Sequence, residues 1–249
     1  MGQQGAWTKW ENVLQRKITW ANIWRADSLN IRFLVQSVYD VLPSPSNLHV
    51  WGKAETPSCP GCPGRGSLEH LLSSCPKALG EGRYRWHHDQ VLKVVAENIA
   101  INNNKGHSKP KSIKFHRAGE KPVSQSRARS GLLTTATDWH LEVDLVKQLK
   151  IPTKISSTRL RPDMTIISDS TKQLIILELT VPWEERMEEA NERKRAKYQE
   201  LVEECRSQGW KTYCEPLEVG CRGFAGRSLC KVLTMLGLNG EAKGRPSGL

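Results

Sequence analysis

Two short apolar runs, each abutting an acid, constrain this 249-residue chain more than any other feature. Arg161-Pro162-Asp163 leads into Met164 to Ile167, and after the polar stretch Ser168 to Gln173 the run Leu174 to Leu177 leads into Glu178-Leu179-Thr180. Both runs are isoleucine-rich and bounded by turn formers, so each reads as a strand. A tight turn centred between Ser170 and Thr171 pairs Met164 with Leu177 and sets Asp163 opposite Glu178. Opposed antiparallel residues share a face, with Cβ atoms about 4.5–5.5 Å apart. A slip of one residue would send the acids to opposite faces. No Asn-Gly or Asp-Gly pair fixes the turn, so the register rests on matching the apolar runs. Acids at strand positions are costly unless compensated, and a divalent cation compensates them well. The bland reading is an Asp that opens one strand and an edge Glu that faces water.

The segment from Trp183 to Ser207 lacks Pro and Gly and is dominated by Glu, Lys, Arg and Ala, which predicts a helix. Gly209 supplies its stop. Met187, Ala190, Lys194, Tyr198, Leu201 and Cys205 recur at three- and four-residue intervals, the stripe that faces a sheet. Lys194 falls inside that stripe and Lys197 at its margin. A lysine on an inward face either snorkels or serves the site. Glu188, Glu189, Glu192 and Arg195 lie off the stripe and read as solvated.

In order and spacing, Arg161-Pro162-Asp163, Glu178-Leu179-Thr180-Val181-Pro182-Trp183-Glu184, Lys194 and Lys197-Tyr198 together resemble the restriction-like endonuclease domain of site-specific non-LTR (LINE-type) retrotransposons. That domain is a branch of the PD-(D/E)xK nuclease superfamily, and the resemblance spans residues 131–236. The superfamily usually has Lys two residues beyond the second acid. Here that position is Thr180, and in the retrotransposon branch the lysine comes from the following helix. The resemblance implies an α/β/α restriction-endonuclease-like core and Mg²⁺ held by Asp163, Glu178 and the Leu179 carbonyl. It also implies Lys194 or Lys197 as the catalytic lysine. The chemistry implied is phosphodiester hydrolysis: the ion acidifies a water while the lysine orients it or offsets developing charge. Tyr198 either positions the lysine or packs as a core tyrosine.

A second constellation is Cys59, Cys62, His70 and Cys75. Four borderline or soft ligands within a short interval, opened by a Cys pair two residues apart, match a tetrahedral structural zinc site. Pro60, Gly61, Pro63, Gly64 and Gly66 let the chain turn around an ion, and a helical turn from Ser67 through Leu72 places His70. Disulfides are the alternative, disfavoured in an intracellular basic chain. The retrotransposon family carries a CCHC knuckle just before its nuclease, in the same order. Cys205, Cys214, Cys221 and Cys230 show no ligand spacing and read as buried thiols.

The net charge of +11 and pI near 9.4 favour a polyanionic partner. The excess concentrates in residues 105–131, where eight basic residues face only Glu120, a local charge of +7. With Pro110, Pro122 and several Ser and Gly, this reads as a flexible basic linker giving salt-dependent, sequence-independent nucleic-acid affinity. No apolar run spans a membrane and no secretory h-region opens the chain.

The reading therefore divides the chain into a helical connector (1–56), the knuckle and a following helix (57–104), the basic linker (105–131), the nuclease-like domain (132–236) and a disordered tail (237–249). Within the nuclease-like domain, Leu132 to Leu149 reads as a helix with Leu141, Leu145 and Leu149 inward, able to lend Asp138, Glu142 or Asp144 to the site. Trp210 to Val219 reads as a strand and Ala225 to Leu236 as a closing helix, with Arg222 in the loop between, within reach of phosphate. The expectation is a Mg²⁺-dependent DNA-nicking endonuclease with a zinc knuckle. The resemblance adds a nuclear location, DNA and RNA of a parent element as partners, and no small-molecule substrate. It also makes the chain a separated C-terminal piece without its reverse transcriptase, since no Asp-Asp polymerase motif occurs. The alternative is a non-catalytic nucleic-acid-binding remnant using only knuckle and linker.

Overall fold

The computed structural model describes residues 10–15, 20–106, 131–145 and 148–238. The basic segment is therefore outside the described residues apart from its ends, as is the tail beyond Leu238.

Three short helices precede the knuckle: α1 (Trp20–Arg25), α2 (Ser28–Val38) and α3 (Pro45–Val50). Asp27 starts α2 by accepting from the backbone N–H groups of Leu29 at 2.7 Å and Asn30 at 3.3 Å. The Pro43–Ser46 stretch does more than end the preceding run. Ser44 caps α3 through the N–H of Asn47, and Pro45 fills its first turn, where a missing N–H costs nothing. Beyond the knuckle come α4 (Pro76–Gly80) and the long α5 (Arg83–Gly106).

A four-stranded mixed sheet follows, ordered β1 (His140–Val143), β2 (Met164–Ser168), β3 (Gln173–Thr180) and β4 (Lys211–Glu218). β1, β2 and β3 are antiparallel neighbours, whereas β4 runs parallel to β3 after the crossover helix α6 (Met187–Ser207). The hairpin register pairs Met164 with Leu177 and Ser168 with Gln173, as matching the apolar runs requires. Asp138 supplies what the turn sequence lacks. Its carboxylate accepts from the Ser170 N–H and from the Ser168 and Ser170 hydroxyls at 2.7–2.8 Å. Those bonds, led by Ser170, hold its carboxyl well below the usual range. Helix α7 (Arg227–Leu236) closes the chain, stopped by Gly237 at φ 87°.

Alternation along the strands splits the interior into two layers. Met164, Ile166, Ile175, Leu177, Leu179 and Leu217 pack toward α5 and α7, and Ile167, Leu174 and Ile176 pack toward Tyr198, Leu201 and Cys205 of α6. The result is an α/β architecture with helices on both faces of a mixed sheet. The first layer contains Val91, Leu92, Val95, Ala96 and Ile99 of α5, so the core crosses the segment 105–131 and joins residues from both sides of it.

The described residues of 132–149 do not form an α-helix. One 3-10 turn (Leu132–Thr135) is followed by β1, all four of whose residues pair with β2. The leucine spacing is helical, but Trp139, Val143 and the run of threonines favour extended backbone. The open edge of β2 offers hydrogen bonds that a helix there would leave unmade. Leu149 is still buried, and Leu141 and Leu145 pack partly against the first layer.

Arg222 does not reach toward solvent phosphate. Its guanidinium lies between the Trp10 and Trp183 rings, with centroids 4.2 and 3.8 Å away, and pairs with Glu184 at 2.7 Å while its backbone N–H also meets that carboxylate. Gly220 leaves room beside it, because a Cβ there would collide with the Glu184 carboxyl and displace it from Arg222. Of the four other cysteines, Cys205 and Cys221 are buried and Cys214 and Cys230 half-buried; among the described residues every cysteine is free. No described helix is long and apolar enough to cross a membrane.

Candidate functional site

One step beyond the paired ladder, Asp163 and Glu178 engage each other through the backbone. The Asp163 N–H donates to Glu178 Oε2 at 3.2 Å, and the Leu179 N–H donates to Asp163 Oδ2 at 2.7 Å. The reciprocal bonds hold the two acids side by side at the end of the hairpin. Glu178 is only 2 % exposed, so its charge must be compensated internally.

Helix α6 supplies that compensation. Lys194 Nζ donates to Glu178 Oε1 at 2.6 Å, Lys197 Nζ to the same oxygen at 3.3 Å, and the Tyr198 hydroxyl to Oε2 at 2.9 Å. The Tyr198 oxygen also lies 2.9 Å from the Arg161 carbonyl. Burial pushes the Tyr198 phenol far up, and the charges of Glu178 and then Asp163 push it further, so it remains protonated. The Lys197 ammonium also rests over the Tyr198 ring, 4.6 Å from its centroid. Both candidate lysines thus converge on one acid. Lys194 is closer and more enclosed, with 22 % of its side chain exposed against 41 % for Lys197.

Two carboxylates joined in this way are the hard oxygen donors that Mg²⁺ takes, so the donor chemistry fits the ion. Glu178 nevertheless accepts four hydrogen bonds, about as many as a carboxylate has lone-pair sites. A cation reaching Glu178 must displace one of them, and the ammonium groups on Oε1 are the exchangeable ones.

Asp163 has a partner that sequence reasoning missed. His88, on α5, sets Nε2 3.4 Å from Asp163 Oδ2 and Nδ1 3.1 Å from Asp89 Oδ1. Burial opposes a charge on this ring, but the bonds and charges of Asp163 and Asp89 outweigh it and lift the imidazole to about 9. Nothing in the spacing of His87-His88-Asp89 announced this contact, which depends on how α5 packs against the sheet. Of the three acids considered for a supporting role, Asp144 is the one beside the pair. Its N–H donates to the Asp163 carbonyl at 2.8 Å, and one guanidinium nitrogen of Arg161 donates to both of its carboxylate oxygens, at 3.0 and 3.1 Å. Asp138 is committed to the hairpin turn and Glu142 to His140 on β1.

Cys59, Cys62, His70 and Cys75 bring their ligand atoms within 4.8 Å of one another. The Cys59–Cys75 and Cys62–Cys75 sulfur separations are 3.8 and 3.9 Å. A tetrahedron with Zn–S bonds of about 2.3 Å has edges of about 3.8 Å, so the cluster can hold a metal ion such as zinc. The expected helical turn is a π-helical one, His70–Ser74, started by the His70 N–H donating to Ser67 Oγ. Gly64 makes room for the imidazole, since a Cβ there would lie 2.9 Å from His70 Cε1. The Gly61 N–H donates to Cys59 Sγ, and backbone amides, first that of Ala78, hold the Cys75 thiol below its ordinary value. Tyr84 at the start of α5 fastens the knuckle. Its hydroxyl accepts from the Cys75 N–H at 2.8 Å and lies 3.1 Å from the His70 and Leu71 carbonyls.

A broad groove of about 1560 Å³ runs between α2, the knuckle and α5, lined by Phe33, Leu34, Leu71 and Trp86, but neither acid of the pair lines it. Cys59 and Cys75 of the cysteine–histidine cluster also line it. No protein-family model matches the chain, and no curated protein matches it.

Proposed function

We propose that this protein is a Mg²⁺-dependent endonuclease that nicks DNA, with a restriction-endonuclease-like core and a structural zinc knuckle. The observation that carries the reading is the junction of Asp163 and Glu178 through reciprocal backbone bonds, with Lys194, Lys197 and Tyr198 gathered on the second acid. Asp163, Glu178 and the Leu179 carbonyl would hold the Mg²⁺. When bound, the ion supplies an acidified water and charge stabilisation at the scissile phosphate. Lys194 then orients that water or meets the charge that develops on the phosphate. Tyr198, kept protonated, fixes the Glu178 carboxylate so that its orientation survives when the lysine turns to substrate. The net charge of +11 draws in the polyanion. The partners in this reading are DNA and the RNA of a parent element, in the nucleus.

The second reading, a non-catalytic nucleic-acid-binding remnant, is favoured by the saturation of Glu178, which also describes a buried structural ion pair. Supercoiled plasmid incubated with zinc-loaded protein and Mg²⁺ separates the two. The nuclease reading expects open circles from wild type and none from Asp163→Ala or Glu178→Ala. Plasmid left supercoiled by wild type, with gel-shift binding retained, would establish the remnant instead.

A further inference from the structure

Some tryptophans of this chain are buried and others stand in solvent. Trp10, Trp139 and Trp210 lie in the interior, whereas Trp86 on α5 is 67 % exposed and Trp20 and Trp24 on α1 are 77 and 84 % exposed. A single exposed indole on a convex surface is ordinary, but one that lines a groove marks a place for a partner. Trp86 and Phe33 both line the broad groove between α2, the knuckle and α5, together with Leu34, Leu71 and Leu72. Arg25, Lys77 and Arg83 are the other half of its character. The acids among its lining residues are Asp27 and Glu81. Asp27 is turned into its own helix, where it accepts from Leu29 and Asn30, and Glu81 is shared by two cations, Lys77 and Arg83. Those two cations remain well solvated, with 58 and 72 % of their side chains exposed.

We infer that this groove binds single-stranded nucleic acid, its bases stacking on Trp86 and Phe33 and its phosphates meeting Arg25, Lys77 and Arg83. Every base has an apolar π-face, so aromatic rings beside aliphatic walls hold unpaired bases with little regard to sequence. Guanidinium groups next to such rings add cation–π attraction and meet the backbone charge. A duplex fits this surface poorly, because its bases are stacked on one another and its charged backbone would face leucines. A protein segment could use the apolar walls alone, but the surplus of cations here, on a chain of net charge +11, favours an anionic occupant. The inference deepens the nucleic-acid reading proposed above and rests on it for the class of partner. It does not depend on cleavage, since neither Asp163 nor Glu178 lines the groove.

The experiment uses the full zinc-loaded chain without Mg²⁺ and a fluorescent oligothymidylate of about twelve nucleotides, a length within common single-strand site sizes. Anisotropy compares that strand with its duplex. Wild type should bind the single strand more tightly than the duplex and lose tryptophan fluorescence as it does so. Trp86→Ala should weaken single-strand binding by about tenfold, the usual scale for one stacked base, with duplex affinity little changed. Trp86→Phe keeps a ring and should recover most of the loss. Arg83→Gln should lower the slope of log affinity against log salt by about 0.7, the contribution of one phosphate contact on a single strand. Trp51→Ala removes an exposed aromatic outside the groove and should bind as wild type. Zinc content and circular dichroism equal to wild type certify each variant. Single-strand binding unchanged in both Trp86→Ala and Phe33→Ala overturns the inference, as does an equal loss for single strand and duplex. A wild-type dimer in sedimentation that Trp86→Ala dissociates also overturns it, by giving the groove to a second copy of the chain. Wild type that nicks plasmid but prefers the duplex sinks this inference alone, and wild type that binds neither form sinks it together with the nucleic-acid reading.

Discussion

Tyr84 and His88 lie one helical turn apart on the same helix, the first bonded to the backbone of Cys75 and the second in contact with Asp163. A single rigid element therefore touches both the knuckle and the acid pair. Residues four apart on a helix share a face, so one face of α5 carries both contacts.

Tyr84→Phe tests that linkage. It removes the hydroxyl that accepts from Cys75 and meets the His70 and Leu71 carbonyls, leaving enclosed backbone groups without a partner. The loss should be about 1–3 kcal/mol, read by urea denaturation, with zinc released more readily to a chromophoric chelator. Unaltered zinc affinity would show that the clamp is ornamental.

The knuckle itself makes a sharper prediction. Purified protein should carry one equivalent of zinc by mass spectrometry, and Cys62→Ser should lose it. Gly64→Ala should weaken zinc binding without touching a ligand, because the new methyl crowds His70 Cε1. Metal-free protein with an unchanged circular dichroism spectrum would end the zinc assignment.

Lys194 and Lys197 are not equivalent. Lys194→Met removes the shorter and more enclosed partner of a 2 % exposed acid and should destabilise the fold by about 1–3 kcal/mol, Lys197 still offsetting part of the charge. Lys197→Met should cost less, because its ammonium is longer-range and more solvated. If plasmid nicking is found, the same order should hold for its loss. Equal effects would leave the choice between them open to chemistry alone.

Glu218 gives a pH signature. Burial raises its carboxyl above the ordinary 4.5, while bonds from Ser228 and Asn191, and the charge of Arg195, work the other way. The unfolded chain therefore releases this proton first as pH rises. Below 4.5 the group adds no difference, and between 4.5 and its folded value stability falls. Glu218→Gln keeps an acceptor for Asn191 and should raise the urea midpoint at pH 8 while matching wild type at pH 4. A gain of equal size at both pH values would rule out titration as the cause.

Much of the hairpin was readable because its register follows from matching two apolar runs, and α6 because its buried stripe keeps helical period over five turns. β1 was not readable: three leucines at helical spacing misled, and the open edge of β2 decided the matter through pairing that no local pattern records. His88 and Arg222 escaped for a related reason. Each is defined by partners far along the chain, Asp163 for one and Trp10 with Trp183 and Glu184 for the other.

The helix that carries His88 also roofs the sheet. Val91, Leu92, Val95, Ala96 and Ile99 lie in the same layer as Met164, Ile166 and Leu177, although a long basic stretch of chain separates them in sequence. A fragment cut to begin at residue 132 would keep every strand, α7 and both candidate lysines, yet strip the part of that face which Val91, Leu92, Val95, Ala96 and Ile99 cover, leaving it open and greasy. Anyone wishing to crystallise or assay the smallest working piece should start upstream of Arg83, and preferably before Cys59.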